Sequence, residues 1–238
     1  MPVEFLPPQW HDSLPSTNTW LHDRLRAGVE LPAGCVLAAR QQTAGRGRQG
    51  RSWVSSPGRD LTFSFLVRPR VAAPGLLSLP MAVALGVVDV LADLGVAGQT
   101  RWPNDVHVQG RKVCGILAEG HGGALVVGVG LNVNMDAAEA ASIDRPATSV
   151  QIETGREWPL EPLLARLLQA IAARLEAWER GGFAALREDW LGACAGLGEP
   201  VEAEGLRGRL EGFGEHGEAL VRLADGGLRR VWSGELLA

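Results

Sequence analysis

"QTAGRGRQGRSW", residues 42–53, holds three arginines and three glycines in twelve positions and no acidic residue. Such a run is suited to an anion, and the candidates are a nucleotide phosphate, a nucleic-acid backbone or solvent alone. Residues 45–52, GRGRQGRS, fall one substitution short of the phosphate-binding pattern G-x-x-x-x-G-K-[ST], with Arg51 in the lysine position. That pattern needs a helix directly behind it, because the helix N-terminus completes the phosphate site. Here WVSSPGRD follows, and then Leu61, Phe63, Phe65 and Val67 alternate with smaller residues as a strand does. A short apolar strand is also predicted in front, at Cys35–Ala39. The basic run is therefore a loop between two strands. With several like charges and flexible glycines, it is expected to be mobile until an anion orders it.

The rest of the chain narrows the choice of anion. At 238 residues it can bury one sizeable core plus a small appendage. Its net charge of −4 argues against coating nucleic acid, which requires a surplus of cations. Cys35, Cys114 and Cys194 lack C-x-x-C spacing and the five histidines are scattered, so neither a zinc site nor a disulfide framework is indicated. MPVEFLPPQW has no cationic start followed by an apolar run, so no signal peptide is expected. The apolar segment Leu76–Leu94 is interrupted by Pro80, Asp89 and Asp93 and reads as a buried helix rather than a membrane span. A reducing cytoplasm is the expected compartment.

The elements follow from pattern. Ser16 or Thr17 caps a helix that carries Trp20, Leu21 and Leu25 and stops at Gly28. Residues 75–94 form a helix ending at Gly95. Val106 and Val108 lead through Gln109-Gly110 into Val113–Ala118 as a hairpin. Leu125–Val133 is a strand whose glycines mark close approach of backbone or ligand. Residues 134–149 are a loop, and helices follow over 160–180 and 183–193. After GLGEP (196–200) the texture changes to short glycine-rich strands. A module of that size cannot bury enough surface to be securely stable alone, so it should dock on the main domain. The fold class is α+β, a mixed sheet packed by helices over 1–195 with a small β module over 196–238.

Other stretches share the chain with the arginine loop. "RWPNDV" (101–106) sets an indole, an amide and a carboxylate beside a strand. "GRKVCGILAE" (110–119) places the chain's single lysine, Lys112, on a strand otherwise apolar through Leu117. Every other cationic position is arginine. Either composition left one lysine by accident, or this position needs a compact ammonium that a planar guanidinium cannot replace. "STNTW" (16–20), "GVGLNVN" (128–134), "ATSV" (147–150) and the glycine-rich tail complete the set.

In this order and spacing, these stretches resemble the biotin protein ligase family over nearly the whole chain. The resemblance implies a class II synthetase-like, biotin/lipoate ligase catalytic domain with a C-terminal SH3-like β-barrel. It also implies activation of biotin by ATP to biotinyl-5′-AMP and transfer to a lysine of a biotin carboxyl carrier domain, with Mg²⁺ expected beside the ATP. The anion would then be the mixed carboxylate–phosphate. By resemblance, Ser16, Thr17, Asn18, Gln42, Gly45, Arg46, Lys112 and Gly115 surround biotin, and Arg48, Arg51, Trp53, Asn104, Lys112 and Asn132 contact the nucleotide. Lys112, Arg48 and Asp105 are the catalytic candidates. Asp105 assists a metal, handles the incoming lysine or simply caps structure; the metal ligands are not legible. Trp102 is read as packing. Only fifteen residues precede Ser16, so a DNA-binding winged helix is not expected, nor a membrane partner; the oligomer is a monomer or homodimer. Lipoate or octanoate ligases share the fold but lack the arginine loop, and stand as the alternative.

Overall fold

The computed structural model describes residues 3–236 apart from 204 and 234. Its main sheet has seven strands: β1 (Gln9–His11), β2 (Val36–Ala39), β3 (Leu61–Val67), β4 (Gln99–Arg101), β5 (Asp105–Val108), β6 (Arg111–His121) and β7 (Ala124–Leu131). They lie in the order β1-β2-β3-β7-β6-β5-β4. β1 pairs with β2 in parallel and every other neighbour is antiparallel, so the sheet is mixed. The β5–β6 hairpin turns on Gln109 and Gly110, both at positive φ, the geometry a two-residue primed turn demands.

Alternation along the central strands gives the sheet two different faces. On one, Val36, Ala38, Phe63, Phe65, Val127 and Val129 join the main core. The helices α2 (Leu79–Asp93) and α5 (Leu160–Gly181) pack together there, α2 lying against β4, β5 and β6. The stretch Ala73–Asp93 is long and apolar enough to cross a membrane by length and composition, yet most of α2 is buried in this core. On the other face Leu37, Leu66 and Val126 pack under α1 (Thr17–Arg26) through Leu21. On that face Ser64 is buried against Thr17 and Asn18 of α1, and beyond it Gly115, Gly128 and Gly130 lie open as a floor.

Ser16 is the N-cap of α1, accepting from the Thr19 amide. The segment expected as a bare loop over 134–149 contains α3 (Ala137–Ala141), started by a capping box of Asp136 and Glu139, and is followed by α4 (Val150–Thr154), capped by Ser149. Both are too short for a hydrophobic period to show. The predicted helix over 183–193 is a 3-10 turn followed by α6 (Arg187–Ala193).

From Pro200 the chain forms a separate antiparallel sheet of β8 (Pro200–Ala203), β9 (Leu206–Phe213), β10 (Ala219–Arg222), β11 (Leu228–Val231) and β12 (Glu235–Leu236), ordered β11-β10-β9-β8-β12. It docks, as its size requires. Val201, Leu210, Phe213, Ala219, Val221 and Val231 belong to the same core cluster as α2 and α5. Phe213 meets Phe183 and Trp190 edge-on, and Arg187 donates to the Phe213 and Gly214 carbonyls at 2.6 and 2.7 Å.

Candidate active site

The open floor is roofed by the arginine loop, leaving a cavity of about 920 Å³. Its lining includes Ser16, Thr17, Asn18, Gln42, Arg46, Arg48, Arg51, Trp53, Asn104, Asp105, Lys112, Gly115 and Asn132. Of the residues singled out from sequence, Gly45 alone is not part of that wall. Its carbonyl accepts from the Trp53 amide at 3.0 Å, and a Cβ there would stand 2.4 Å from the Trp53 carbonyl. Gly45 lets the two arms of the loop close. The bridge Arg46↔Ser52 and the bond from Gly47 N to Arg51 O finish that closure.

One end of the cavity is lined mainly by neutral polar side chains. Gln42 Oε1 accepts from the Thr17 amide at 2.8 Å and from its hydroxyl at 3.2 Å. Ser64 Oγ lies 2.6 Å from both Thr17 Oγ1 and Asn18 Oδ1, while Asn18 Nδ2 donates to Leu117 O and Glu119. The Asn18 amide is thereby fixed in orientation. A Cβ on Gly128 would fall 2.3 Å from Asn18 Oδ1, so this end exists only because β7 carries glycine there.

The other end is cationic. Lys112 Nζ sits 2.7 Å from Asp105 Oδ2 and 5.6 Å from the centre of the Trp53 ring. A compact ammonium suits this space, since a Cβ on Gly115 would be 3.0 Å from Nζ and 2.9 Å from Trp53. Asn104 Nδ2 donates to Ile116 O, leaving its Oδ1 to accept from Arg48 at 2.9 Å. Burial pushes the Arg48 and Arg101 guanidinium groups down from their ordinary values, and Asp105 acts in the opposite direction on both. Arg101 lines this end as well. The stretch 146–148 runs beside β6 and holds the Lys112 backbone: Lys112 N donates to Pro146 O and Thr148 N to Lys112 O, each at 2.9 Å. Asn132 Nδ2 donates to Thr148 O, while Asn132 Oδ1 and Trp53 Nε1 are buried without partners. Trp102 is packing: its Nε1 donates at 3.0 Å to Gly217 O, in the connection between β9 and β10 of the second sheet. Among the described residues no group of three or more His, Cys, Asp or Glu side chains is placed to hold a metal ion.

Two residues that support this wall were not singled out from the sequence, although Glu119 ends the quoted stretch 110–119. Ser64 is one of the "smaller residues" of β3, and only the pairing of β3 with α1 gives its hydroxyl a purpose. Glu119 closes the β6 stretch and receives Arg46 at 2.6 Å. The arginine loop is therefore not left without acidic partners. It borrows one from β6, Glu119, which pairs with Arg46.

The geometry agrees with comparisons to known proteins. Residues 10–136 match the family model described as the biotin/lipoate A/B protein ligase family. A biotin–[acetyl-CoA-carboxylase] ligase of Paracoccus denitrificans is 36% identical over 221 residues, 87% of this chain and 90% of that protein. The protein of the same name in Mycobacterium tuberculosis is 38% identical over 197 residues, 79% of this chain and 71% of its own length. The solved structure of the Aquifex aeolicus biotin protein ligase in complex with biotin and ATP superposes with a TM-score of 0.82 at 30% identity, covering 98% of both chains. The fold, the motifs and these matches agree, and the chain belongs to the biotin/lipoate A/B protein ligase family.

Proposed function

We propose that this chain is an ATP-dependent biotin–protein ligase, and that its cavity holds biotin at the mainly neutral end and the nucleotide at the cationic end. One observation carries the reading: the neutral polar side chains of Ser16, Thr17, Asn18 and Gln42 share one cavity with Lys112, Arg48 and Arg51. A cyclic urea has N–H donors and a carbonyl acceptor but no charge, and Ser16, Thr17, Asn18 and Gln42 offer donors and acceptors to match. The carboxylate of the same molecule then points toward the cations.

In the first step a biotin carboxylate oxygen attacks the α-phosphorus of ATP, the bond from that phosphorus to the bridging oxygen breaks, and pyrophosphate leaves. Two anions must meet, so alignment and charge neutralisation dominate. Lys112, steadied by Asp105, bridges carboxylate and α-phosphate; Arg48 and Arg51 fork onto phosphate oxygens. Trp53 and Asn132 offer a ring face and an unpartnered amide oxygen to the base. Mg²⁺ carried by the ATP would supply neutralisation of the leaving pyrophosphate. In the second step the lysine amine of a biotin carboxyl carrier domain attacks the acyl carbon and AMP leaves. Asp105 Oδ1, buried without a partner, is the acceptor for that lysine's proton. Residues 1–195 form the catalytic unit and 196–238 the β module. The three free cysteines fit a reducing cytoplasm, where the chain works as a monomer or homodimer.

The test is incubation with biotin, ATP and Mg²⁺ and a carboxyl carrier domain. Pyrophosphate release and a single added biotinyl mass on the carrier are expected, with lipoate and octanoate giving neither. A carrier left unmodified under saturating substrates overturns the reading.

A further inference from the structure

Glu119 lies outside the cavity wall, yet it touches two residues of that wall from behind. Its Oε1 accepts from Arg46 at 2.6 Å and its Oε2 from Asn18 Nδ2 at 2.9 Å. Arg46 also reaches Thr19 Oγ1 at 3.4 Å, on the first turn of α1. Arg46 is the root of the arginine loop, because its bridge to Ser52 is where the loop closes. Asn18 is the amide at the mainly neutral end. One carboxylate thus holds both the roof and the far wall.

His22 also lies close to that carboxylate: its Nε2 stands 3.7 Å from Glu119 Oε2 and has no hydrogen-bond partner, and its ring faces that of His121 at 6.3 Å. Burial keeps the His22 imidazole below its ordinary value, though Glu119 pulls the other way. Arg46 is the cation that answers Glu119. A glutamine at 119 would offer one acceptor where two donors now converge, and no charge.

We propose that Glu119 is a positioning residue that clamps the root of the arginine loop to the biotin end of the cavity, so that the loop stays shut over the acyl-adenylate between the two half-reactions. This rests on the reading of the cavity as the biotinyl-AMP site. A reactive mixed anhydride must wait for the carrier domain, and water reaching it during that wait discards the product of the first step. The clamp acts on retention rather than on the chemistry at phosphorus, which lies at the opposite end with Lys112.

The experiment compares wild type, Glu119→Gln, Arg46→Gln and the double variant. It measures the rate at which preformed biotinyl-AMP leaves the enzyme, together with kcat and KM for biotin. Glu119→Gln is expected to release biotinyl-AMP about fivefold faster or more and to raise the KM for biotin similarly. Single-turnover adenylation at saturating biotin should stay within about twofold. In the Arg46→Gln background the same substitution should add little, because the partner it loses is already gone. Release at the wild-type rate overturns the clamp, as does an effect that persists undiminished without Arg46. If Glu119→Gln melts far below wild type, Glu119→Asp takes its place. The shorter stem keeps the charge but cannot span both partners, so faster release is still required, and release at the wild-type rate overturns the clamp. A wild-type enzyme that forms no biotinyl-AMP sinks the underlying functional reading instead, which separates the two failures.

Discussion

Lys112 is gripped at its tip by Asp105 and along its backbone by Pro146 and Thr148. Its ammonium occupies a gap bounded by Gly115 below and the Trp53 ring beside it. Lys112→Arg keeps the charge but brings a planar fork into a space sized for one nitrogen. Single-turnover formation of biotinyl-AMP should fall by ~10²-fold, the scale of removing one preorganised charge-stabilising donor. Biotin binding without ATP should change far less, since Thr17, Asn18 and Gln42 lie at the other end. Adenylation within a few-fold of wild type would make the lone lysine an accident of composition. At this scale the sequence was legible wherever chemistry demanded an unusual residue: Lys112, Arg48, Asn104 and Asp105 stand together as their motifs implied. Ser64 and Glu119 were not legible. A serine on a strand is ordinary, and Glu119, although it closes the stretch 110–119, lies 73 and 101 positions from the Arg46 and Asn18 that give it a purpose.

The strands β6 and β7 show what glycine contributes at the scale of an element. Gly115 pairs with Gly130, and Leu117 with Gly128, so the glycines of GVGLN fall on the cavity side of neighbouring strands. A Cβ on Gly130 would lie 2.3 Å from the Trp53 indole, and one on Gly128 equally close to the Asn18 amide. The two substitutions should therefore have different consequences. Trp53 rides on the loop and can swing aside, so Gly130→Ala should raise the KM for ATP by roughly tenfold with little loss of melting temperature. Asn18 is locked by Ser64, Leu117 and Glu119, so Gly128→Ala should instead raise the KM for biotin and lower stability by about 1–3 kcal/mol. Steady-state kinetics with each substrate varied in turn reads both. The same rise in both KM values for both variants would mean that the cavity is not divided as described. Elements with a full period, such as β3, α2 and α5, were legible from the sequence, and so was the Gln109-Gly110 turn. The three-residue edge strands β1 and β4 and the five-residue helices α3 and α4 are too short to show one.

For the whole molecule the question is whether the second sheet is a passenger. Its need to dock could be read from its size alone; where it docks could not, because that depends on side chains far apart in sequence. Trp102 Nε1 bonds to Gly217 O only a few residues from Asn104 and Asp105, so the second sheet braces the segment that holds Arg48 and Lys112. Thr100 O accepts from Ala195 N at the same junction. The apolar part of the contact centres on Phe213, 4% exposed, between Phe183 and Trp190. Phe213→Ala should cost about 3–5 kcal/mol, the usual range for truncating a buried aromatic. Because one core cluster spans both sheets, the loss should appear as a shift of a single urea transition rather than as early melting of the second sheet. Far-UV circular dichroism and tryptophan fluorescence should move together, with a lower midpoint and an unchanged slope. Two separated transitions, or dichroism and fluorescence midpoints that part company, would show that the second sheet unfolds on its own and that its hold on Trp102 does not reach the active site.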